Sequence, residues 1–386
     1  MRRKNTSRLS SSWSDLFDHP NRRPGGSFDG VILGVVVALT LIGLVMVFSA
    51  SGVLAETRFR DSTYFLQRQG IWLTLGFLIL FVTARLDYGL WQSLTSQLLA
   101  CCVALLVLVL FIGVEVNGAR RWLHATWFSI QPSELTKLAV VLYLAAYIAK
   151  PGFRIHEWRA GFLPPVLVVG SLCVLIVIEP DFGSAVVVGT VMLGLLYLAG
   201  ARYLHLLGLL LLLVPVIGGL VARSPERWER LVSFWDPWLD ASGSGYQLVQ
   251  SFLALEHGGV FGVGLAQGRQ KLLYLPEGHT DFVLALVGEE LGLIGTTALL
   301  VLFGVLVVKG FRVAAQARDT FGRYLALGIT LLLGVQVLMN AGVVCGLLPT
   351  KGLTLPFVSY GGSSLLTSMM AIGLLLSVAR CRAVKI

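Results

Sequence analysis

The sequence predicts an all-α, polytopic integral membrane protein with about ten transmembrane helices. Of its 386 residues, 56% are hydrophobic and only 13% are charged, whereas soluble domains carry about 25% charged residues. Apolar runs of about 20 residues, the length that crosses about 30 Å of hydrocarbon, recur along the chain. A transmembrane β-barrel would instead alternate apolar and polar residues along short strands, and these runs do not alternate.

The predicted spans follow a basic, Ser-rich segment at residues 1–28, which is expected to be a disordered cytoplasmic tail. A transmembrane domain at 29–380 and a short cytoplasmic tail at 381–386 complete the chain. The spans are Gly30–Ser51, Tyr64–Thr83, Trp91–Val114, Pro132–Ala149, Phe162–Ile178, Phe182–Ala199, Tyr203–Val221, Asp281–Val308, Tyr324–Cys345 and Ser359–Ala379. Because their number is even, both termini are expected on the same side of the membrane.

The distribution of Lys and Arg predicts which side that is, since cytoplasmic loops carry an excess of these residues. With both termini in the cytoplasm, about 18 Lys and Arg residues lie inside and about 11 lie outside. The net charge of +9 is therefore a signal of topology, and it indicates no nucleic-acid partner. The five cysteines form no CxxC pair, so neither a zinc site nor a disulfide framework is supported.

This orientation makes residues 222–280 a large extracytoplasmic loop between spans seven and eight. Its tryptophans, Trp228, Trp235 and Trp238, suit a membrane–water interface. The segment QLVQSFLALEHGG predicts an interfacial helix that ends at Gly258 or Gly259. The alternative is a solvated linker, but the loop is too apolar for disorder and too long for a simple connection.

The stretch LPEGHTDFVLALVGEELG, residues 275–292, is the strongest candidate site. Glu277, His279 and Asp281 precede an apolar helix that carries Glu289 and Glu290, and acids at the mouth of a membrane span favour a functional role. The alternative is that Asp281 only stabilises the first turn of that helix. With Asp281 in this helix, Asp281 aligns with Gly288, Glu289 lies about 80° away and about 12 Å deeper, and Glu290 points to the opposite side. The two deeper acids are then structural or gating residues, bonded to neighbouring helices.

Three other outward segments carry polar residues. NGARRWL contains Arg120, Arg121 and Trp122, and it precedes QPSELTKL, in which Glu134 and Lys137 lie on one helical face and can pair. That pair could be a structural ion pair or part of a site. In Glu179-Pro180-Asp181, capping of the next helix is the favoured role for Asp181. In GLLPTKGLTLPFVSYGGSS, Lys351 needs an aqueous or anionic neighbour.

Together these segments predict a ligand with a lipid tail, an anionic linker and a polar head. Cations would bind the anionic part, and a carboxylate could take a proton from an attacking hydroxyl group. The sequence has no P-loop, paired-histidine zinc motif or GxSxG motif, so ATP hydrolysis, zinc proteolysis and serine hydrolysis are unsupported.

Over about residues 30–380, the chain resembles the SEDS family of bacterial peptidoglycan glycosyltransferases. The motifs that carry the resemblance are NGARRWL, QPSELTKL, EPDFGSA, LPEGHTDFVLALVGEELG and LPTKGLTLPFVSYGGSS. The Thr-Lys-Gly of the last motif resembles the FtsW branch, which acts in cell division, more than the RodA branch. The resemblance implies a protein of the bacterial inner membrane, at the division septum, that polymerises lipid II into glycan strands.

The resemblance also implies roles for individual residues. Asp281 is the expected general base, Trp122 matches a position important for activity, and Glu134 and Lys137 match polar positions of a membrane cavity. The candidates for binding the pyrophosphate, chosen for their positive charge and their position on the predicted outer side, are Arg120, Arg121 and Lys351. Further candidates for substrate binding are Glu277 and His279. A divalent cation, Mg²⁺ or Mn²⁺, could share that work, although no ligand cluster in the sequence identifies one.

The implied partners are lipid II, membrane lipid, a class B penicillin-binding protein that resembles FtsI, the FtsQ–FtsL–FtsB complex and FtsN. Two other functions remain open from the sequence. A lipid II flippase would place ionisable residues along a path to both faces, whereas the polar clusters here concentrate on the outer side. A non-catalytic scaffold of the division machinery would tolerate neutralisation of Asp281.

Overall fold

The protein is described by a computed structural model at residues 28–116, 118–124, 129–272 and 274–381. The predicted tails therefore lie outside the described residues, apart from Phe28 and Cys381. The described chain forms twelve α-helices and three short β-strands. The helices are α1 (Gly30–Phe59), α2 (Tyr64–Arg85), α3 (Tyr88–Ile112), α4 (Pro132–Ile148), α5 (Leu163–Ile178), α6 (Phe182–Leu198), α7 (Tyr203–Ala222), α8 (Pro225–Trp235), α9 (Tyr246–Gly258), α10 (Val283–Ala315), α11 (Thr320–Val344) and α12 (Gly362–Arg380). The strands are β1 (Val114–Val116), β2 (Ala119–His124) and β3 (Ser129–Ile130).

Eight of the described helices are long and apolar enough to cross a membrane. They are α1, α2, α3, α7, α10, α11, α12 and α5, the last together with the π-helical turn Trp158–Phe162. Helices α4 and α6 have only 17 residues each. These ten helices correspond to the ten predicted spans, and the predicted class of polytopic, mainly helical membrane protein is confirmed. The number of crossings stays a prediction.

Helices α4, α11 and α12 form the centre of the bundle. In the most apolar part of α12, 83% of the residues are buried, against 6% in α7, which lies at the periphery. Glycines permit the closest helix approaches: Gly373 of α12 lies against Thr83 of α2, and Gly43 of α1 packs on the backbone of Phe357 and Val358. Small residues at such contacts are typical of membrane bundles, where close packing stabilises helix association.

A small antiparallel sheet follows α3 and was not predicted from the sequence. Its strand order is β1-β2-β3, with Glu115 opposite Arg120 and Leu123 opposite Ile130. Gly118 adopts a left-handed backbone conformation, with φ of 73°, in the turn between β1 and β2. The sheet holds the Arg-Arg-Trp segment as an extended strand, so successive side chains point in different directions.

Helix α10 differs from the predicted span in two ways. It begins at Val283, so Asp281 lies in the turn before the helix, and the predicted alignment of Asp281 with Gly288 on one helix is wrong. It is also interrupted at Gly292, whose φ of 69° and ψ of −167° are not helical. The backbone groups freed there are satisfied by a glycine-rich loop. Val263 N–H donates to the Glu289 carbonyl at 3.0 Å, and Leu293 N–H donates to the Gly259 carbonyl at 3.0 Å.

The long segment between α7 and α10 contains α8 and α9. The helix predicted from QLVQSFLALEHGG is confirmed as α9, which ends at Gly258 and is followed by Gly259 with φ of 51°. Leu248, Val249 and Ala254 of α9 are buried. This segment therefore packs on α10 and α11 and is not a solvated linker over this part.

Candidate active site

A cavity of about 950 Å³ lies where several connecting segments meet. Its walls come from the ends of α1 and α2, from β2 and β3, from the start of α4, and from the segments that precede α10 and α12. Among the residues predicted from the sequence, Arg121, Trp122, Glu134, Glu277 and Asp281 line it. The chain thus brings residues from five separate sequence segments to one cavity.

Asp281 is held at the cavity by its backbone. Asp281 N–H donates to the Glu277 carbonyl at 3.0 Å, and the Asn340 side-chain amide donates to the carbonyls of Asp281 at 2.8 Å and Leu353 at 2.7 Å. A Cβ atom on Gly352 would lie 3.0 Å from the Asp281 carboxylate, so glycine leaves the room that this carboxylate occupies. Within the described residues, the carboxylate of Asp281 accepts no hydrogen bond, and both of its oxygens are available to a ligand.

The surroundings of Asp281 raise the pKa of its carboxyl group to about 7. Burial is the largest cause, because removing a carboxylate from water disfavours its charged form. The negative charge of Glu277 raises this pKa further, and the guanidinium of Arg121 opposes both effects. A carboxyl group that titrates near neutral pH is well matched to the work of a general base.

Arg121 links the sheet to the turn between α5 and α6. Its Nε donates to the Glu179 carbonyl at 3.2 Å, and its terminal nitrogen donates to the Pro180 carbonyl. These bonds to uncharged carbonyls leave the positive charge of Arg121 without a partner carboxylate among the described residues. By contrast, Arg120 points away and pairs with the exposed Glu115 at 3.6 Å.

The predicted pair of Glu134 and Lys137 is confirmed, with 2.7 Å between Nζ and Oε1. Glu134 lines the cavity, whereas the Lys137 side chain is 1% exposed and lies behind it. Lys137 therefore compensates the charge of Glu134 and is not placed on the cavity wall.

Asp181 caps α6 as predicted, because its carboxylate accepts the Ser184 N–H at 3.0 Å. The same side chain accepts hydrogen bonds from Ser133 at 2.8 Å and Gln131 at 3.0 Å, which tie α4 to α6. Neighbouring Glu179 is buried, and its carboxyl oxygens have no hydrogen-bond partner among the described residues. Burial, followed by the charge of Asp181, raises the pKa of Glu179 to about 8.

Two other predicted residues lie beside the cavity. His279 lines a second, adjoining cavity, and its carbonyl accepts the Tyr360 N–H at 3.0 Å. Burial lowers the pKa of the His279 imidazole. Lys351 lines neither of these cavities and forms no ion pair with any described residue, and burial lowers its pKa too. The structure therefore does not bring Lys351, Lys137 or Arg120 to the cavity wall.

The structure adds two cations that were not among the predicted site residues. Arg58, at the end of α1, and Arg68, in the first turns of α2, line the same cavity as Asp281. A signal for them existed in the sequence, since both are basic residues at span ends on the predicted outer side. More than 200 residues separate them from Asp281, and the sequence alone does not show that the segments meet.

The donor set does not identify a metal centre. Among the described residues, no three or more His, Cys, Asp or Glu side chains cluster closely enough to hold a metal ion. The carboxylates on the cavity wall are Asp281, Glu277 and the ion-paired Glu134.

Sequence comparisons show which family of known proteins this chain is similar to. Residues 30–383 match the family model for FtsW, RodA and SpoVE, described as cell cycle proteins. The chain is 45% identical over 354 residues to the probable peptidoglycan glycosyltransferase FtsW of Geobacter metallireducens, covering 91% of this chain and 94% of that protein. It is 44% identical over 358 residues to stage V sporulation protein E of Bacillus subtilis, covering 91% and 97%.

Solved structures agree with the sequence comparisons. A chain of a peptidoglycan synthase complex that coordinates polymerization and crosslinking superposes with a TM-score of 0.75 at 30% identity, over 92% of this chain and 98% of that chain. The rod shape determining protein RodA of Thermus thermophilus superposes with a TM-score of 0.69 at 30% identity, with the same coverage. The chain therefore belongs to the FtsW/RodA/SpoVE family, the SEDS family that its motifs resemble.

Proposed function

We propose that this protein is a peptidoglycan glycosyltransferase of the FtsW type, which polymerises lipid II during septal cell-wall synthesis. The observation that carries the proposal is the free carboxylate of Asp281 on the wall of a cavity that is also lined by arginines. Relatives at about 45% identity over most of the chain are named peptidoglycan glycosyltransferases, which favours this activity over lipid II transport or a purely structural role.

The proposed reaction begins when the 4-hydroxyl group of one saccharide lies beside Asp281. The Asp281 carboxylate accepts the proton of this hydroxyl while its oxygen attacks the anomeric carbon of the second substrate. The bond from that carbon to the diphosphate oxygen breaks, and the electron pair leaves with the lipid diphosphate. Arginine side chains stabilise the negative charge that develops on this leaving group.

The test is polymerisation of labelled lipid II by purified protein, alone and with its transpeptidase partner. We expect Asp281→Asn to lower the rate by at least about 100-fold, because the amide cannot accept the proton. Asp240→Asn is the matched control, since Asp240 lies in an exposed turn outside both cavities. Normal glycan synthesis by Asp281→Asn, or none by the wild type in either setting, would overturn the proposal.

The location and partners belong to the same proposal. The protein lies in the cytoplasmic membrane at the septum with both termini inside, and the cavity opens at the outer face. Similarity to a complex that couples polymerization with crosslinking supports a class B penicillin-binding protein as partner. The FtsQ–FtsL–FtsB complex and FtsN are proposed as regulators from membership of the family alone.

A further inference from the structure

A second cavity of about 500 Å³ adjoins the one that contains Asp281. The two share part of their walls, formed by Arg58, Tyr64, Arg68, Glu277 and Tyr360. The side chain of Asp281 lines only the larger cavity. A ligand bound at this shared wall would therefore face both cavities. The Asp281 carboxylate would lie on the side of the larger cavity.

Positive charge is available at this shared wall. Arg58 and Arg68 are exposed, and neither forms an ion pair with a described carboxylate. Aromatic rings orient both guanidinium groups, which lie 5.8 Å from the Phe59 ring centre and 4.9 Å from that of Tyr64. Guanidinium groups bind phosphate oxygens in a bidentate manner, so two of them on one cavity wall suit a diphosphate.

Elsewhere on the wall of the second cavity, the positive charge is already compensated. Lys271 lies 3.0 Å from Glu290, and its side chain is 9% exposed. Its other wall residues include the apolar Ala50, Leu54 and Leu286 beside His279. Among the described residues that line this cavity, Arg58 and Arg68 are therefore the arginines left to bind a diphosphate.

We propose that the wall shared by the two cavities is the donor subsite, in which Arg58 and Arg68 bind the diphosphate of the lipid-linked substrate. The acceptor saccharide then occupies the larger cavity beside Asp281. During transfer, the bond between the anomeric carbon and the diphosphate oxygen breaks at the shared wall. The new glycosidic bond forms on the Asp281 side, and the acceptor proton passes to Asp281. This inference rests on the proposed function for its substrate, but the anion site can be tested alone.

The test measures binding of inorganic pyrophosphate to the full-length protein in nanodiscs by titration calorimetry. We expect Arg58→Gln and Arg68→Gln each to weaken binding at least about tenfold, and the corresponding Lys variants to restore part of it. Arg60→Gln is the matched control, because Arg60 is exposed, lies two residues from Arg58 and lines neither cavity. We expect this control to bind like the wild type.

Two further variants separate this inference from the proposed function. Asp281→Asn should bind pyrophosphate normally while losing polymerisation, and Arg121→Gln should bind within about threefold of the wild type because Arg121 lines only the larger cavity. Unchanged binding in both glutamine variants, a major loss in Arg121→Gln, or no binding by the wild type would overturn the donor subsite. Polymerisation by Asp281→Asn would overturn the catalytic proposal and leave the anion site standing.

Discussion

At the scale of single residues, the protonation of Asp281 depends on its neighbours. Burial and the charge of Glu277 raise its pKa to about 7, while Arg121 opposes them. A general base works only when unprotonated, so activity should fall as the pH drops through this value. The same residue would be an ordinary surface acid, ionised throughout this range, if Glu277 and the surrounding walls were absent.

Replacing Glu277 by Gln should shift the pH dependence of polymerisation. The change removes a neighbouring negative charge, which lowers the pKa of Asp281 and moves the rising limb of the rate profile to lower pH. Initial rates between about pH 5.5 and pH 8.5 measure this limb. Glu256→Gln is the control, since it removes an exposed acid of α9 that lines neither cavity. A limb that stays in place or moves to higher pH contradicts this electrostatic account.

Gly352 should be required for the position of the Asp281 carboxylate. A methyl group at Gly352 would lie 3.0 Å from the carboxylate oxygen and push it aside. We therefore expect Gly352→Ala to lower kcat about tenfold, which corresponds to ~1.4 kcal/mol, with little change in thermal stability. The control is Gly34→Ala on α1, where no atom lies within 4 Å of the added methyl group. Wild-type kcat in Gly352→Ala would show that the carboxylate has room to adjust.

At the scale of elements, two buried acids of α10 fix the loop that precedes the turn carrying Asp281. Glu289 accepts the Arg269 N–H at 2.7 Å, and Glu290 accepts hydrogen bonds from Ser49 at 2.6 Å and Lys271 at 3.0 Å. The sequence predicted a structural or gating role for both acids, with partners on neighbouring helices. Ser49 is such a partner, on α1, but most of the bonds go to the 266–271 loop.

Breaking the Glu290–Lys271 pair should destabilise the protein. Glu290→Gln leaves a buried ammonium group without its counter-charge, a loss that typically costs about 3–5 kcal/mol. Replacing both residues, as in Glu290→Leu with Lys271→Met, should cost less because no buried charge remains. Thermal unfolding in detergent provides the comparison, and Glu157→Gln serves as control because its pair with Arg154 is exposed. Equal stability of Glu290→Gln and the control would contradict the role assigned to this pair.

The elements differ in how far their sequences predict them. Long apolar runs predict the membrane helices well, since only a helix satisfies its own backbone groups in lipid. The sheet was missed because its strands have only 3, 6 and 2 residues, although the Asn-Gly pair at 117–118 is a hairpin signal. The break at Gly292 was missed because it depends on a distant loop, which supplies the hydrogen-bond partners of the interrupted backbone.

At the scale of the whole molecule, the candidate site is a product of topology. The segments predicted to face outward, namely the α1–α2 connection, the sheet, the α5–α6 turn and the approaches to α10 and α12, all contribute to or contact the cavity. Positive charge and position on the predicted outer side selected Arg121, which lines the cavity. The same two criteria also selected Arg120 and Lys351, which do not line the cavity, because side-chain direction depends on the sheet and on local packing.

The predicted orientation can be tested by labelling single cysteines. After replacement of the five native cysteines, a cysteine at Ser242, in the α8–α9 connection, should react with a membrane-impermeant maleimide in intact spheroplasts. A cysteine at Gln316, in the α10–α11 connection, should react only after permeabilisation. The physical reason is the excess of Lys and Arg around Gln316, which favours retention of that connection in the cytoplasm. Labelling at Gln316 in intact spheroplasts would invert this topology and place the Asp281 cavity at the inner face, where a polymerase of the cell wall could not work.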